Sequence, residues 1–193
     1  MKIGFKLCPK FILLASNQIN FYMNTFLPPN KGEYAAYFDK YLLQVVNQNL
    51  GNLITDQIRE LKSLISSKSE GWDSIPYQKG KWTPKEVIGH VIDTERIMTF
   101  RALCFARGEK SALPGFDQDP YVLNARFGHV PIDILMEDFE AQRKALVTLI
   151  RTLPESSLDN VGTASGNPVT PRALFWIIPG HFIHHLNILK ERY

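Results

Sequence analysis

The chain carries only two cysteines, Cys8 and Cys104, among 193 residues. That is too few for a disulfide framework or a thiolate zinc site, and it fits a reducing cytoplasm better than secretion. No apolar run approaches the ~20 residues that cross a bilayer, so no membrane role is expected. A surplus of one charge is also missing from most of the chain. Lys and Arg exceed Asp and Glu by 22 to 19, but Lys2, Lys6, Lys10 and Lys31 all precede the first acidic residue, Glu33. Removing those four leaves 18 basic against 19 acidic groups, a net charge of −1. A nucleic-acid groove needs clustered Lys and Arg to neutralise phosphates, so nucleic acid is not an expected partner. Convincing period-two alternation is absent as well, which argues against a sheet protein.

What is present is a hydrophobic content of 45% and an aromatic content of 11%. A single domain of this size can bury roughly 70% of the surface its unfolded chain exposes, enough for a core without disulfides. Residues 1–24 combine Lys2, Lys6 and Lys10 with the short apolar run Phe11 to Ala15. Secretory signals need about 7 to 15 apolar residues and a small-residue cleavage site, and Ser16-Asn17-Gln18 is a poor one. Residues 1–32 therefore read as a disordered or loosely packed extension, much of it upstream of an alternative start at Met23, and residues 33–193 as the folded domain.

From Tyr34 the apolar period is helical, with Tyr37, Phe38, Tyr41, Leu42 and Val45 at helical offsets. Leu50, Leu53, Ile54, Ile58, Leu61 and Ile65 continue it after an offset near Asn49, giving one long or broken first helix. The second has a complete start signal: Thr83 as cap, Pro84 in the first helical position and Glu86 placed for a capping box. It should stop at Gly108. The polar connection over 109–129, containing Pro114-Gly115 and Asp119-Pro120, is long for a helix join and reads as a lid or crossover. A third helix should run from Pro131 to Leu153, before Pro154, and a fourth from the cap Thr170 to about Arg192. Four amphipathic helices predict an all-α four-helix bundle, and the long second connection favours a crossover topology.

The five histidines divide unevenly: His90 in the second helix, His129 in a loop, and His181, His184 and His185 in the fourth. Residues four apart on a helix share a face, so His181 and His185 can aim at one point. His90 lies 7 residues beyond its cap, His181 and His185 11 and 15 beyond theirs. At ~100° per residue all three emerge on similar sides relative to those caps. Facing helices would bring the rings together as an open metal site. Such a pair alone is equally how ordinary hydrogen-bonded histidines occur. Pro179, within the fourth helix, predicts a kink that either aims His181 or accommodates Phe175 and Trp176.

Three segments carry a wider resemblance: GKWTPKEVIGHVIDTERIMTFRALCFARGE (80–109), LPGFDQDPYV (113–122) and GHFIHHLNILKERY (180–193). In this order they resemble the DinB superfamily of four-helix bundles, over about 34–193. The resemblance implies up-down-down-up connections, frequent dimerisation and a divalent metal (Zn, Ni, Fe or Mn) on three histidines, matching His90, His181 and His185. His184 would then lie beside the site. It also implies one of two chemistries, a thiol-dependent transfer using a low-molecular-weight thiol or a metal-dependent hydrolysis. Both rest on a cation that lowers the pKa of a bound thiol or water. The rival expectation is a non-catalytic, stress-related bundle whose metal is structural or whose role is partner binding.

Neighbouring groups have two readings each. Asp93 and Glu86 could orient the His90 ring, or pair with Arg96 or Arg101 and close the capping box, respectively. Glu95 is expected in an ion pair with an arginine. Asp117 and Asp119 read as turn formers, Cys104 as a small buried hydrophobe. Trp82, Trp176, Tyr121 and Phe116 are either core or the wall of a small-molecule pocket.

Overall fold

The computed structural model describes residues 26–193. The expectations for residues 1–25, a loose extension with a weak signal-like run, lie outside the described residues.

A 3-10 turn at Ala36–Phe38 leads into a short helix α1 (Asp39–Leu42), and turns separate it from α2 (Leu50–Ser66). The first helix is thus broken where the period slips. Asn49 caps α2, its side chain accepting from the Asn52 N–H at 2.9 Å, which commits the backbone to an extended conformation there. The stretch assigned by sequence to the extension does contribute to the body: Phe26 is buried edge-on to Phe175, and the Leu27 carbonyl accepts from Trp176 Nε1.

Helix α3 (Pro84–Ala106) begins with the predicted capping box. Glu86 N–H donates to Thr83 Oγ1 at 3.3 Å while Thr83 N–H donates to Glu86 Oε2 at 2.7 Å. It ends in a Schellman motif, Glu109 N–H reaching the Cys104 carbonyl and Gly108 N–H the Phe105 carbonyl. The long connection is not featureless. It holds α4 (Gln118–Ala125), capped by Asp117, whose side chain accepts from the Asp119 N–H, and a 3-10 turn at Phe127–His129. Helix α5 (Ile132–Thr152) stops before Pro154, and α6 (Pro171–Arg192) starts at Thr170, whose hydroxyl accepts from the Ala173 N–H. No described helix is long and apolar enough to cross a membrane.

One small sheet was not expected. Strands β1 (Gly162–Ala164) and β2 (Asn167–Val169) form an antiparallel hairpin, and its turn residues Ser165 and Gly166 both have positive φ, as a tight hairpin turn requires. Strands of three residues are too short to display alternation. Leu113, in the connection, exchanges backbone hydrogen bonds with Thr163 and Ser165, tying the connection to the hairpin.

The bundle itself is built by α2, α3, α5 and α6, and its core has two ends. One collects Leu61 and Leu64, Val87 to Ile92, Leu135 to Phe139, and Phe182 to Leu189. The other collects Leu50 to Ile54, Met98 to Phe105, Leu146 to Leu153, and Ala173 to Ile178. The starts of α2 and α6 share an end with the finishes of α3 and α5, which is the up-down-down-up arrangement. Between the two apolar clusters lies a polar waist: Arg143 meets Glu95 at 2.8 Å, donates to Gln57 Oε1 at 2.7 Å, and Gln57 Nε2 donates to the Pro179 carbonyl at 3.0 Å. This chain touches all four bundle helices. Helix α6 continues through Pro179, whose missing N–H leaves the Phe175 carbonyl without its usual helical donor.

Candidate metal centre

His90 stands two turns into α3, and the capping box that fixes that helix start also fixes where the ring enters the interior. His181 and His185 come from successive turns of α6. The structure brings all three together. His90 Nε2 lies 3.3 Å from His181 Nε2, His181 Nε2 lies 3.1 Å from His185 Nε2, and the three ligand-capable nitrogens fall within 4.8 Å of one another. Two nitrogens at ~2.1 Å from a shared tetrahedral ion are themselves ~3.4 Å apart, so these two spacings are compatible with a shared cation.

Burial sets the protonation. Desolvation pushes His90 down to about 4 and His185 down to about 3, and it carries His181 well below the ordinary imidazole value, assisted by its histidine neighbours. The rings are therefore neutral at physiological pH, the form that binds metals. Hydrogen bonding alone does not satisfy such a cluster. His181 Nε2 has two imidazole neighbours and at most one proton to give, and His185 Nδ1 is buried with no hydrogen-bond partner. A cation shared by the three Nε2 atoms fits this donor set.

The groups around the rings differ in part from expectation. Thr94, one turn after His90, places Oγ1 3.4 Å from His90 Nδ1. In the tautomer that donates Nδ1–H to this hydroxyl, the Nε2 lone pair faces the cluster. Neither Asp93 nor Glu86 takes that role: Asp93 pairs with Arg96 at 3.8 Å, and Glu86 is consumed by the capping box. Glu95 forms its ion pair with Arg143. Trp82 packs against the His90 ring at 4.9 Å. Tyr41 stands edge-on to His181 at 5.3 Å and packs against His184 at 5.4 Å, so His184 supports the site from its flank.

Tyr41 reaches His181 because residue 180 is glycine. A Cβ there would sit 2.4 Å from the Tyr41 carbonyl oxygen, so only a bare backbone lets α1 approach α6 this closely. Nothing in the sequence announced Tyr41, since its role depends on where α1 docks. Thr94 could have been found from its spacing to His90.

Two cavities reach the cluster. One of about 290 Å³ touches His90 and His181 and extends past Thr94, Met98 and Phe116 to Arg101. Another of about 300 Å³ touches His185 beside Trp82, Lys81 and Asp119, and Gln118 borders both. Of the four aromatic candidates, Trp82 and Phe116 line cavities. Trp176 is buried core, and Tyr121 is half exposed against Phe116. Cys104 is partly buried, and desolvation raises its thiol pKa, which suits a packing residue.

Fold and cluster together define a class, the four-helix bundles that bring three histidines, here two buried and one partly buried, to one point. The chain belongs to the DinB superfamily, whose family model matches residues 53–189. Among solved structures it is similar to YfiT from Bacillus subtilis, described as "a probable metal-dependent hydrolase with an unusual four-helix bundle topology". The identity is 16% and the TM-score 0.67, over 84% of this chain and 89% of that one, a likeness of fold. No curated protein matches the chain.

Proposed function

We propose that the chain is a cytoplasmic metalloenzyme in which His90, His181 and His185 hold one divalent ion, Zn²⁺, Ni²⁺, Fe²⁺ or Mn²⁺, and that it hydrolyses a small molecule bound in the adjoining cavity. The observation that carries this reading is the pair of Nε2 spacings, 3.1 and 3.3 Å, among three imidazoles held neutral by burial. When bound, such an ion lowers the pKa of a coordinated water or thiol toward neutrality and so supplies a nucleophile. The protein's own contribution is positional. Thr94 holds the His90 tautomer, Trp82 and Tyr41 fix ring orientations, and the 290 Å³ cavity holds the reacting molecule against His90 and His181. YfiT's description as "a probable metal-dependent hydrolase" supports the same reaction class.

A second reading, transfer of a low-molecular-weight thiol, is favoured by one specific feature, the separate cavity reaching His185. Two cavities at one centre give a thiol and an electrophile separate approaches.

Metal content of the purified protein, compared with His90→Ala and His185→Ala, tests the site: occupancy near one ion per chain should collapse in both variants. Unchanged or absent occupancy overturns the proposal. Metal-loaded protein is then incubated with a panel of small esters, amides and electrophiles, with and without cellular thiols. Turnover in water alone supports hydrolysis, thiol-dependent turnover the second reading. Metal that raises the melting temperature without any turnover would favour the non-catalytic bundle.

A further inference from the structure

The larger functional question is what the 290 Å³ cavity takes, and Arg101 bears on it. His90, Thr94, Met98 and Arg101 fall at i, i+4, i+8 and i+11 on α3 and line one continuous wall. The wall begins at a histidine of the cluster and ends at a cation. The Cα atoms at its two ends are ~16 Å apart.

Arg101 is only 7% exposed, yet no carboxylate lies within ion-pair distance of it among the described residues. Arg143, the other buried arginine, has Glu95. Arg101 instead has Nη2 tied to the Pro114 carbonyl at 2.8 Å and Ser165 Oγ at 3.1 Å, with Phe116 against its guanidinium. Both of its hydrogen bonds run through Nη2, which leaves Nε and Nη1 to solvent or to a ligand in the cavity. A cation placed in a cavity without a counter-ion is unfavourable unless something anionic arrives to join it. Desolvation lowers its pKa, as an uncompensated charge requires. Met98, Leu174, Val169 and Phe38 give the cavity apolar walls, while Tyr37, Tyr41, Gln118 and Asn167 add neutral polar groups. The cavity has the volume of about ten water molecules. Arg101 is the one Lys or Arg among the described residues lining the cavity, and a single positive charge matches a monoanion such as a carboxylate better than a phosphate dianion.

We propose that Arg101 is the anion-recognising residue of this cavity and that the substrate is a small monocarboxylate with an apolar body, its carboxylate at Arg101 and its reactive end toward His90 and His181. The orientation rests on the reading of the histidine cluster as the reactive centre; the carboxylate subsite itself does not.

The experiment is calorimetric titration of the chelator-treated full chain with phenylbutyrate and with its neutral counterpart phenylbutyramide, so that no metal offers a rival anion site. The expected result is a preference of about tenfold or more for the carboxylate in the wild type. Arg101→Gln should abolish that preference, binding both alike, and Arg101→Lys should retain part of it. Equal affinities in the wild type, no carboxylate binding at millimolar concentration, or a preference that survives in Arg101→Gln overturns the proposal. Should Arg101→Gln fail to fold, Ser165→Ala, which releases the guanidinium from one anchor, is expected to weaken the preference, and an unaltered preference counts against it. His181→Ala separates the two readings. It should lose metal while keeping the carboxylate preference in the metal-free titration. A chain that prefers carboxylates yet binds no ion supports the Arg101 subsite and overturns the metal reading; the reverse result overturns the subsite alone.

Discussion

Arg143 of α5 and Glu95 of α3 face each other at 2.8 Å in the bundle waist, with side chains 0% and 2% exposed. The contact is close but poorly aligned: neither Glu95 oxygen nor Arg143 Nε completes a hydrogen bond. Desolvation works against both charges, raising the Glu95 pKa and lowering that of Arg143, while each partner's field opposes the shift. Removing one partner from a buried pair leaves an uncompensated charge, whereas removing both leaves none. Arg143→Met is therefore expected to destabilise the protein by about 3 to 5 kcal/mol, and Arg143→Met with Glu95→Leu by clearly less. Urea denaturation of both variants checks this. A double variant no better than the single would show that the loss comes from Gln57 and the Pro179 carbonyl instead.

Thr94 predicts a separate effect on metal without an effect on fold. Its hydroxyl is the group within reach of His90 Nδ1, and partners of ligating imidazoles are typically worth tenfold to a hundredfold in metal affinity. Thr94→Val keeps the shape and removes the hydroxyl. Metal affinity measured by competition with a chelator should fall by about that factor while the far-UV spectrum stays the same.

Much of this architecture could be read in advance because its determinants are local. The capping box at Thr83 and Glu86, the stop at Gly108 and the Thr170-Pro171 start depend on a few adjacent residues, and the structure has each of them. The convergence of His90 with His181 and His185 was legible because two helical phases, counted from two caps, pointed the rings alike. Tyr41 and Arg101 were not legible in the same way. Tyr41 depends on α1 docking against Gly180, and Arg101 on the absence of any acid among the described residues that line the cavity, both properties of residues distant in sequence. The hairpin over 162–169 escaped because three-residue strands carry no period, and α4 because eight residues between turn formers show little amphipathic pattern.

The approach of α1 to α6 is testable at Gly180. In Gly180→Ala the new methyl would sit 2.4 Å from the Tyr41 carbonyl oxygen, and backbone cannot yield as a flexible side chain does. Overpacking of this kind costs about 1 to 3 kcal/mol. The melting temperature should drop, and because Tyr41 leans on His181, metal affinity should drop with it. Gly128→Ala, where a Cβ meets nothing within 4 Å, serves as the control and should change neither.

The buried imidazoles also fix the sign of the pH dependence. In the unfolded chain each titrates near 6.5, but in the fold His90 titrates at about 4 and His185 at about 3. Above pH 6.5 both states are neutral and these groups contribute no slope. Below it the unfolded chain takes up protons that the folded chain refuses, so stability falls with acidification down to the folded values. At ~1.4 kcal/mol per pKa unit the loss from His90 is on the order of 3 kcal/mol. The raised carboxyls Asp93 and Glu95 act in the opposite direction, so the measurement has to isolate the ring. Urea unfolding of metal-free wild type and His90→Gln between pH 7.5 and 5 does so: the wild type should lose stability more steeply, and equal slopes would mean that the His90 ring takes up protons as readily in the fold as out of it.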